Sequence, residues 1–362
     1  MADNIEEDLW EEEETEEQED AQPAERLRFI TDKGQEPTRI DKFLMNRIEN
    51  ATRNKIQQAL EEGFIKVNGA IVKSNYKVRP GDEVVILETR KPESTEVLPE
   101  ELPLNIIYED DDLLIVNKKP GMVVHPGTGN YSGTLVNGLA WYLSRNDHDK
   151  ETLPRVGLVH RIDKDTSGLV VIAKTELAMS NLAAQFKKHT VHRRYIALVW
   201  GDFAEEEGTI NAHVGRNLRL RKIMDTFPDG DHGKEAITHY KVLERFNYVT
   251  LAEMRLETGR THQIRVHMKY IGHPLFNDGT YGGDRIVKGT VFTKYRQFVD
   301  NCFALLPRHA LHAKELGFKH PTTGEWVQFN SEIPEDIQQV IEKWRTYTTG
   351  MTKQLKEKLD NQ

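Results

Sequence analysis

A chain of 362 residues is longer than one ordinary domain, and its single cysteine, Cys302, excludes an internal disulfide or a cysteine-framed zinc fold. No run of about 18 apolar residues occurs, and the N-terminus is acidic where a signal peptide would be basic and then apolar, so neither membrane insertion nor secretion is expected and a cytoplasmic protein is. The net charge of −9 comes from one end: residues 1–25 hold 13 acidic and no basic residues, which leaves 49 basic against 45 acidic over 26–362. Such a block buries too little apolar surface to offset its ordering entropy. Residues 1–25 are therefore expected to form a disordered tail that solubilises the chain or competes with phosphates for a basic surface.

Residues 26–90 read as a first small unit. Ile40, Phe43, Leu44 and Ile48 recur at helical spacing, and Ile56, Ala59 and Leu60 mark a second helix ending near Gly63. FIKVNGAIVKS then places Asn68-Gly69 between two β-prone segments, a two-residue hairpin signal, and VRPGDEVVIL adds a turn and a strand. This unit carries 13 basic and 9 acidic residues, with Arg39, Lys42, Arg53 and Lys55 on or beside its helices. They form either a solvated face or a phosphate-neutralising one. Residues 91–103, with three prolines and no periodicity, read as a linker.

From 104 the pattern is mixed. NIIYEDDDLLIVNK predicts a hairpin, TLVNGLAWYL a short apolar helix, and Glu176 to Lys188 a helix rich in Leu and Ala. RRYIALVWG, ITHYKVLERF and VTLAEMRLE predict strands, two of them alternating as half-buried antiparallel strands do. PEDIQQVIEKWRTY predicts a last helix with Pro334 in its first turn, closing the domain at 347 before a polar tail over 348–362. The expected class is α+β, a mixed, mostly antiparallel sheet behind a small helix-helix-hairpin unit.

Four stretches concentrate polar residues beside apolar strands. GLVHRIDKDTSGLVVIAKT holds eight polar or turn-forming residues between two strands, more than a turn needs, and charges there must pair or act. VHRRYIALVWG places Arg193 and Tyr195 at the start of a strand. ETGRTHQIRVHMKYIGHPLFNDGTYGG predicts a helix bearing Arg260, His262, Gln263, Arg265 and His267, then a Gly-rich loop. PRHALHAKELGFKHP supplies Arg308, His309 and His312. The HxxH of His309 and His312 has no accompanying ligand set, and no GxGxxG or Walker A motif occurs, so neither a metal nor a nucleotide cofactor is expected.

RIDKFLMNRIENATRNKIQQALEEGFIKVNGAIVKSNYKVRPGDEVVI resembles the α-L RNA-binding domain of a small-subunit ribosomal protein. HRIDKDTSGL at 160–169 resembles the motif of the RluA family of RNA pseudouridine synthases, and NKKPGMVVHPG, TGRTHQIRVHM, GHPLFNDGTYGG and RHALHA resemble its other motifs in order. The resemblance spans about residues 26–332. It implies isomerisation of uridine to pseudouridine without cofactor or metal, with RNA as partner. It also implies Asp163 as the catalytic carboxylate, Arg265 as its cation, Tyr195 as the active-site aromatic, and Arg161 as the side chain that enters the gap left by a flipped base. His160 and Thr166 would shape the loop, and Asp165 falls in the variable part of the motif.

Three positions depart from the family pattern: Arg193 for Lys, Ile162 for Leu, and Asn277 for a Gly before Asp278, which leaves the role of Asp278 open. An α-L domain in front is similar to the branch that modifies large-subunit ribosomal RNA. Alternatives are a transfer RNA synthase, a ribosome-assembly factor that binds RNA without chemistry, and a metal-dependent nuclease using Asp163, Asp165 and His160. If the acidic tail competes for a basic surface, deleting residues 1–25 raises nonspecific RNA affinity at low salt. Equal affinity with and without it, titrated at several salt concentrations, contradicts that.

Overall fold

The structure is a computed structural model. It describes residues 24–32, 34, 36–48, 53–88, 97–127, 130–145, 157–290 and 292–360, with the side chains of 24–26, 54, 55, 88 and 351–360 outside the description. The expected acidic tail lies outside the described residues apart from the backbone of 24–25, and so does the linker over 91–96. Two compact units divide between Glu96 and Val97.

The first unit contains β1 (Ala24–Ile30), β2 (Thr38–Arg39), α1 (Ile40–Met45), α2 (Arg53–Glu61), β3 (Ile65–Val67), β4 (Ala70–Ile71), β5 (Lys77–Val78) and β6 (Glu83–Glu88). Ile40, Phe43 and Leu44 of α1, with Ile56 and Leu60 of α2, pack on Ile65, Val67, Val84 and Ile86. The β3–β4 hairpin turns at Asn68 and Gly69, whose φ of 48° and 79° are the left-handed values the turn needs. The sequence pattern did not foresee β1, which pairs antiparallel with β6.

The second unit contains β7 (Ile106–Glu109), β8 (Leu113–Lys118), α3 (Leu135–Arg145), β9 (Gly157–Leu158), β10 (Ser167–Ala173), α4 (Glu176–Lys187), β11 (His192–Trp200), β12 (Glu207–Asn211), β13 (His213–Arg216) and β14 (Met224–Phe227). It continues with β15 (Ile237–Arg245), β16 (Val249–Leu256), α5 (Gln263–Tyr270), α6 (Thr293–Leu305), β17 (Leu311–Lys319), β18 (Trp326–Asn330) and α7 (Glu335–Asp360). The main sheet runs β12-β15-β16-β11-β17-β10-β8-β7, with β18 on β17 and β9 on β10. Its β10–β17 pair is parallel and its other pairs are antiparallel, so the α+β class holds.

Strand alternation sorts the side chains onto two faces. Tyr195, Ala197 and Val199 of β11 pack with α3 and α5 on one face. Ile196, Leu198 and Trp200 pack with α6 and α7 on the other, where α4 covers Leu169, Val171 and Ala173 of β10.

The parallel pair explains Thr166, Ser167 and Gly168 at the start of β10. Ser167 lies opposite His312 and Gly168 opposite Ala313. Ser167 Oγ hydrogen-bonds His312 Nδ1 at 2.9 Å, and Thr166 Oγ1 hydrogen-bonds His309 Nε2 at 2.8 Å. Ser331 Oγ holds the other nitrogen of His312, so the HxxH pair fastens strands together. Gly168 has φ 120°, and a Cβ there would stand 2.2 Å from the Ala313 carbonyl oxygen.

Three sequence expectations are corrected. The linker ends before 97: Val97 and Leu104 pack against the core, and Asn137 of α3 donates to the Leu98 carbonyl oxygen. The polar tail over 348–362 is helical through Asp360, because its Lys, Glu, Gln and Leu residues favour helix and no proline interrupts them. Arg260 and His262 precede α5 instead of riding on it; Gln263 Oε1 accepts from Arg260 N and Thr258 Oγ1 and closes a turn there.

Gly168→Ala is expected to destabilise the protein by about 2–4 kcal/mol, since it combines a disallowed φ with a backbone clash. Gly350→Ala, exposed inside α7, is expected to stabilise it by about 0.5–1 kcal/mol. Urea unfolding midpoints check both, and a destabilising Gly350→Ala would contradict a continuous α7.

Candidate active site

The loop 159–166 leaves β9 and returns to β10. β9 pairs with β10 only at Leu158–Ile172 and Gly157–Ala173, and past that point the Val171 N–H donates to His160 Nε2 at 3.0 Å. The imidazole replaces a missing strand partner and stacks on Phe186 at 4.6 Å. Burial, with Arg193 nearby, presses its pKa down to about 3, so it is neutral and accepts. Lys118 ties down the far side: its ammonium donates to the carbonyl oxygens of Lys119, Met122 and Lys164, and burial pushes its pKa down to about 7.

At the turn of this loop Asp163 Oδ2 accepts from Arg265 Nη1 of α5 at 3.1 Å. The same guanidinium gives Nε and Nη2 to Asp278 at 2.7 and 3.0 Å, a bidentate pair with a fully buried carboxylate. Asp278 also accepts from the amides of Thr280 and Tyr281. The Tyr281 ring lies 5.0 Å from the guanidinium carbon, and His262 Nε2 is 3.9 Å from Asp163 Oδ1. Asn277 carries φ 57°, a left-handed value that asparagine tolerates, so the departure from Gly leaves Asp278 on Arg265.

Burial opposes ionisation of Asp163, but the fields of His262 and His309, present once acid has protonated them, and the field and hydrogen bond of Arg265 overcome it, holding the carboxyl well below the usual range. At neutral pH only Arg265 among these is charged, since burial pushes His309 down to about 3 and His262 below the ordinary imidazole value. Burial would weaken the Arg265 cation too, yet the Asp278 hydrogen bonds and the field of Asp163 raise its pKa.

Asp163, Arg265, Tyr195 and Arg161 share the wall of a cavity of about 350 Å³. Burial raises the Tyr195 hydroxyl. Two residues before it on β11, Arg193 donates Nη2 to the Glu257 carbonyl oxygen and lies 5.6 Å from the Phe186 ring. A second cavity, about 300 Å³, adds Lys164, Arg216 and Lys222 and meets the first along Arg161, Asp163, His262 and Arg265. The sequence motifs contained His262, Asp278, Tyr281 and Lys118 but assigned them no role, because the partners that define one lie in other segments: Arg265 for Asp278, Tyr281 and Asp163 for His262, Met224 for Tyr281 and Lys164 for Lys118.

Asp163, Asp165 and His160 do not converge as metal ligands. Among the described residues the group close enough is Asp110, Asp112 and His320. There Asp110 Oδ1 accepts from the amides of Asp112 and Leu113, while Oδ2 bonds Tyr108 Oη and His320 Nε2, so it clamps the β7–β8 turn.

The other basic candidates belong to the first unit. Arg39 forks to Asp41 at 3.1 and 2.8 Å, and Arg53 Nε lies 3.3 Å from the same buried carboxylate. Both side chains keep an exposed surface, and Lys42 is exposed beside them. The Lys55 side chain lies outside the described residues. Among the described residues no helix is long and apolar enough to cross a membrane.

The chain is similar to known proteins over most of its length. A family model described as RNA pseudouridylate synthase matches residues 112–270, and one described as S4 domain matches 38–84. An uncharacterized RNA pseudouridine synthase of Chlorobaculum parvum is 47% identical over 320 residues, 88% of this chain and 97% of that protein. The ribosomal large subunit pseudouridine synthase D of Vibrio cholerae is 40% identical over 300 residues, 83% of this chain and 89% of that one. A human protein, RNA pseudouridylate synthase domain containing 4, shares the fold at a TM-score of 0.53 and 21% identity, covering 67% of this chain and 93% of its own. The chain belongs to the RNA pseudouridine synthase family, isomerases of uridine in RNA.

Arg265→Lys keeps a charge but cannot fork to two carboxylates. It is expected to slow single-turnover pseudouridine formation about 100-fold. It should also move the acid limb of the rate upward, as expected of a reaction that needs ionised Asp163: such a rate is lost as pH falls through the folded pKa, and without the guanidinium hydrogen bond burial raises that pKa. An acid limb left in place would contradict the role given to Arg265. Asp278→Asn leaves Arg265 half-paired in a dry interior and is expected to cost about 3–5 kcal/mol in urea unfolding.

Proposed function

We propose that this synthase isomerises uridines of large-subunit ribosomal RNA, with Asp163 as the catalytic carboxylate. The observation that carries the reading is an aspartate kept ionised by a buried guanidinium, in a cavity it shares with Tyr195. The relative named ribosomal large subunit pseudouridine synthase D, alignable over most of this chain, supports the choice of RNA. So do Arg39, Lys42 and Arg53 in an S4 domain, where exposed cations neutralise phosphates without reading sequence.

The target uridine leaves its stack, since no side chain reaches a glycosidic bond inside one, and Arg161 fills the gap. Asp163 attacks C1′ of the ribose or takes its C2′ proton, and the N1–C1′ bond breaks with its electron pair going to the uracil ring. Tyr195 stacks on the detached ring. The ring turns and C5 bonds to C1′, displacing the Asp163 carboxylate if it had attacked there or with the proton returning from Asp163 to C2′ if it had taken that; the C5 proton then leaves to solvent and N1 gains one.

Large-subunit ribosomal RNA transcript labelled with tritium at C5 of its uridines tests this. Wild type in EDTA is expected to release tritium, and Asp163→Asn none. Release by Asp163→Asn would remove the carboxylate from the chemistry, and release from transfer RNA transcript alone would move the substrate to that class.

A further inference from the structure

His262 lies beside the catalytic carboxylate and has no part in the chemistry above. It lines both cavities, and its φ of 54° is a left-handed value uncommon outside glycine, kept by the turn that Gln263 closes. The ring is therefore aimed by its backbone. Tyr281 is placed to set where its proton sits. The Met224 N–H donates to the Tyr281 oxygen at 3.1 Å, which leaves the hydroxyl proton for His262 Nδ1 at 2.8 Å. A neutral imidazole that accepts at Nδ1 carries its hydrogen on Nε2. That is the nitrogen 3.9 Å from Asp163 Oδ1.

The reaction needs a donor at this place. When the N1–C1′ bond breaks, the uracil ring becomes anionic and the C2 carbonyl oxygen, next to N1, takes much of the charge. Turning the ring about its N3–C6 axis exchanges N1 with C5, and with them the C2 and C4 carbonyls. The C4 oxygen then occupies the position the C2 oxygen left. One fixed donor beside C1′ serves both ends of the turn without moving, the condition under which preorganised dipoles stabilise developing charge best.

We propose that His262 is a further catalytic residue: its Nε2–H donates to the uracil carbonyl oxygen flanking the glycosidic carbon, O2 before the ring turns and O4 after it. No proton is transferred to or from the imidazole. The inference rests on the reading that the target uracil enters the Asp163 cavity, and it holds whichever RNA supplies that uridine. Tyr281 acts through His262 and is a positioning residue.

Three full-length variants test it by single-turnover tritium release. Asparagine tolerates the left-handed backbone but falls short of the Nε2 position, whereas glutamine returns an amide donor to it. His262→Asn is expected to be about 100-fold slower with RNA affinity unchanged, the loss that follows removal of one such donor, and His262→Gln to recover much of the rate. Equal losses in both, or a normal rate in His262→Asn, would overturn the proposal.

Tyr281→Phe frees the tautomer. Its rate should be low at neutral pH and rise as acid protonates both ring nitrogens, below the ordinary imidazole range because burial lowers His262, whose ring faces Asp163, Arg265, Asp278 and Arg161. Wild type should show no such rise. Nitrogen-15 NMR of the free wild-type protein should find Nδ1 bare and Nε2 protonated. The opposite tautomer sinks the proposal without any RNA, so that a wrong choice of RNA, which would silence wild type on the ribosomal transcript and call for the transfer RNA transcript, is a separate result.

Discussion

One guanidinium shared by two carboxylates organises this site. Arg265 gives two of its nitrogens to Asp278 and a third to Asp163. A buried pair is weak evidence of stability, because desolvation consumes most of the Coulomb attraction. The unequal treatment of the two acids matters more. Asp278 spreads its charge onto the Thr280 and Tyr281 amides as well, so it fixes the direction of Arg265 without exhausting its field. What remains falls on Asp163, the one of the two with access to a cavity.

That ion pair works only if the loop carrying Asp163 stays where α5 can reach it, and the parallel strand pair ensures this. Thr166 and Ser167 are held by His309 and His312, Gly168 lets β10 approach β17, and Arg308 donates to the Asp165 carbonyl oxygen from a guanidinium anchored by Asp336. His160 supplies a strand hydrogen bond at the other end. Two strand starts and a helix from distant parts of the chain thus converge to hold one carboxylate in place.

This division explains what was legible in the sequence. The mixed sheet and the loop bearing Asp163 could be read because strand alternation and an excess of polar residues are local signals. Asp278 could not: its partner is 13 residues away through a loop whose αL residue, Asn277, looked like a departure. Tyr281 read as an ordinary loop aromatic, since only the folded chain sets its hydroxyl between Met224 and His262. The errors at 97 and 348 have a related cause. Prolines and Glu residues near 99 suggested a linker, but Leu98 and Leu104 are fixed by contacts to α3 and the core, and polarity in the last residues concealed good helix formers.

The histidines of this site keep a constant charge near neutrality. Burial pushes His160 and His309 down to about 3 and His312 to about 4, and each is engaged as a neutral hydrogen-bonding group by a backbone amide or a hydroxyl. None titrates near neutrality. Arg265, the cation bonded to Asp163, stays charged across the same range, so the ionisation of Asp163 rests on hydrogen-bond geometry, while Lys118 on the far side of the loop, pushed down to about 7 by burial, changes charge near neutrality. The charge on Asp163 is in this sense produced by the fold itself.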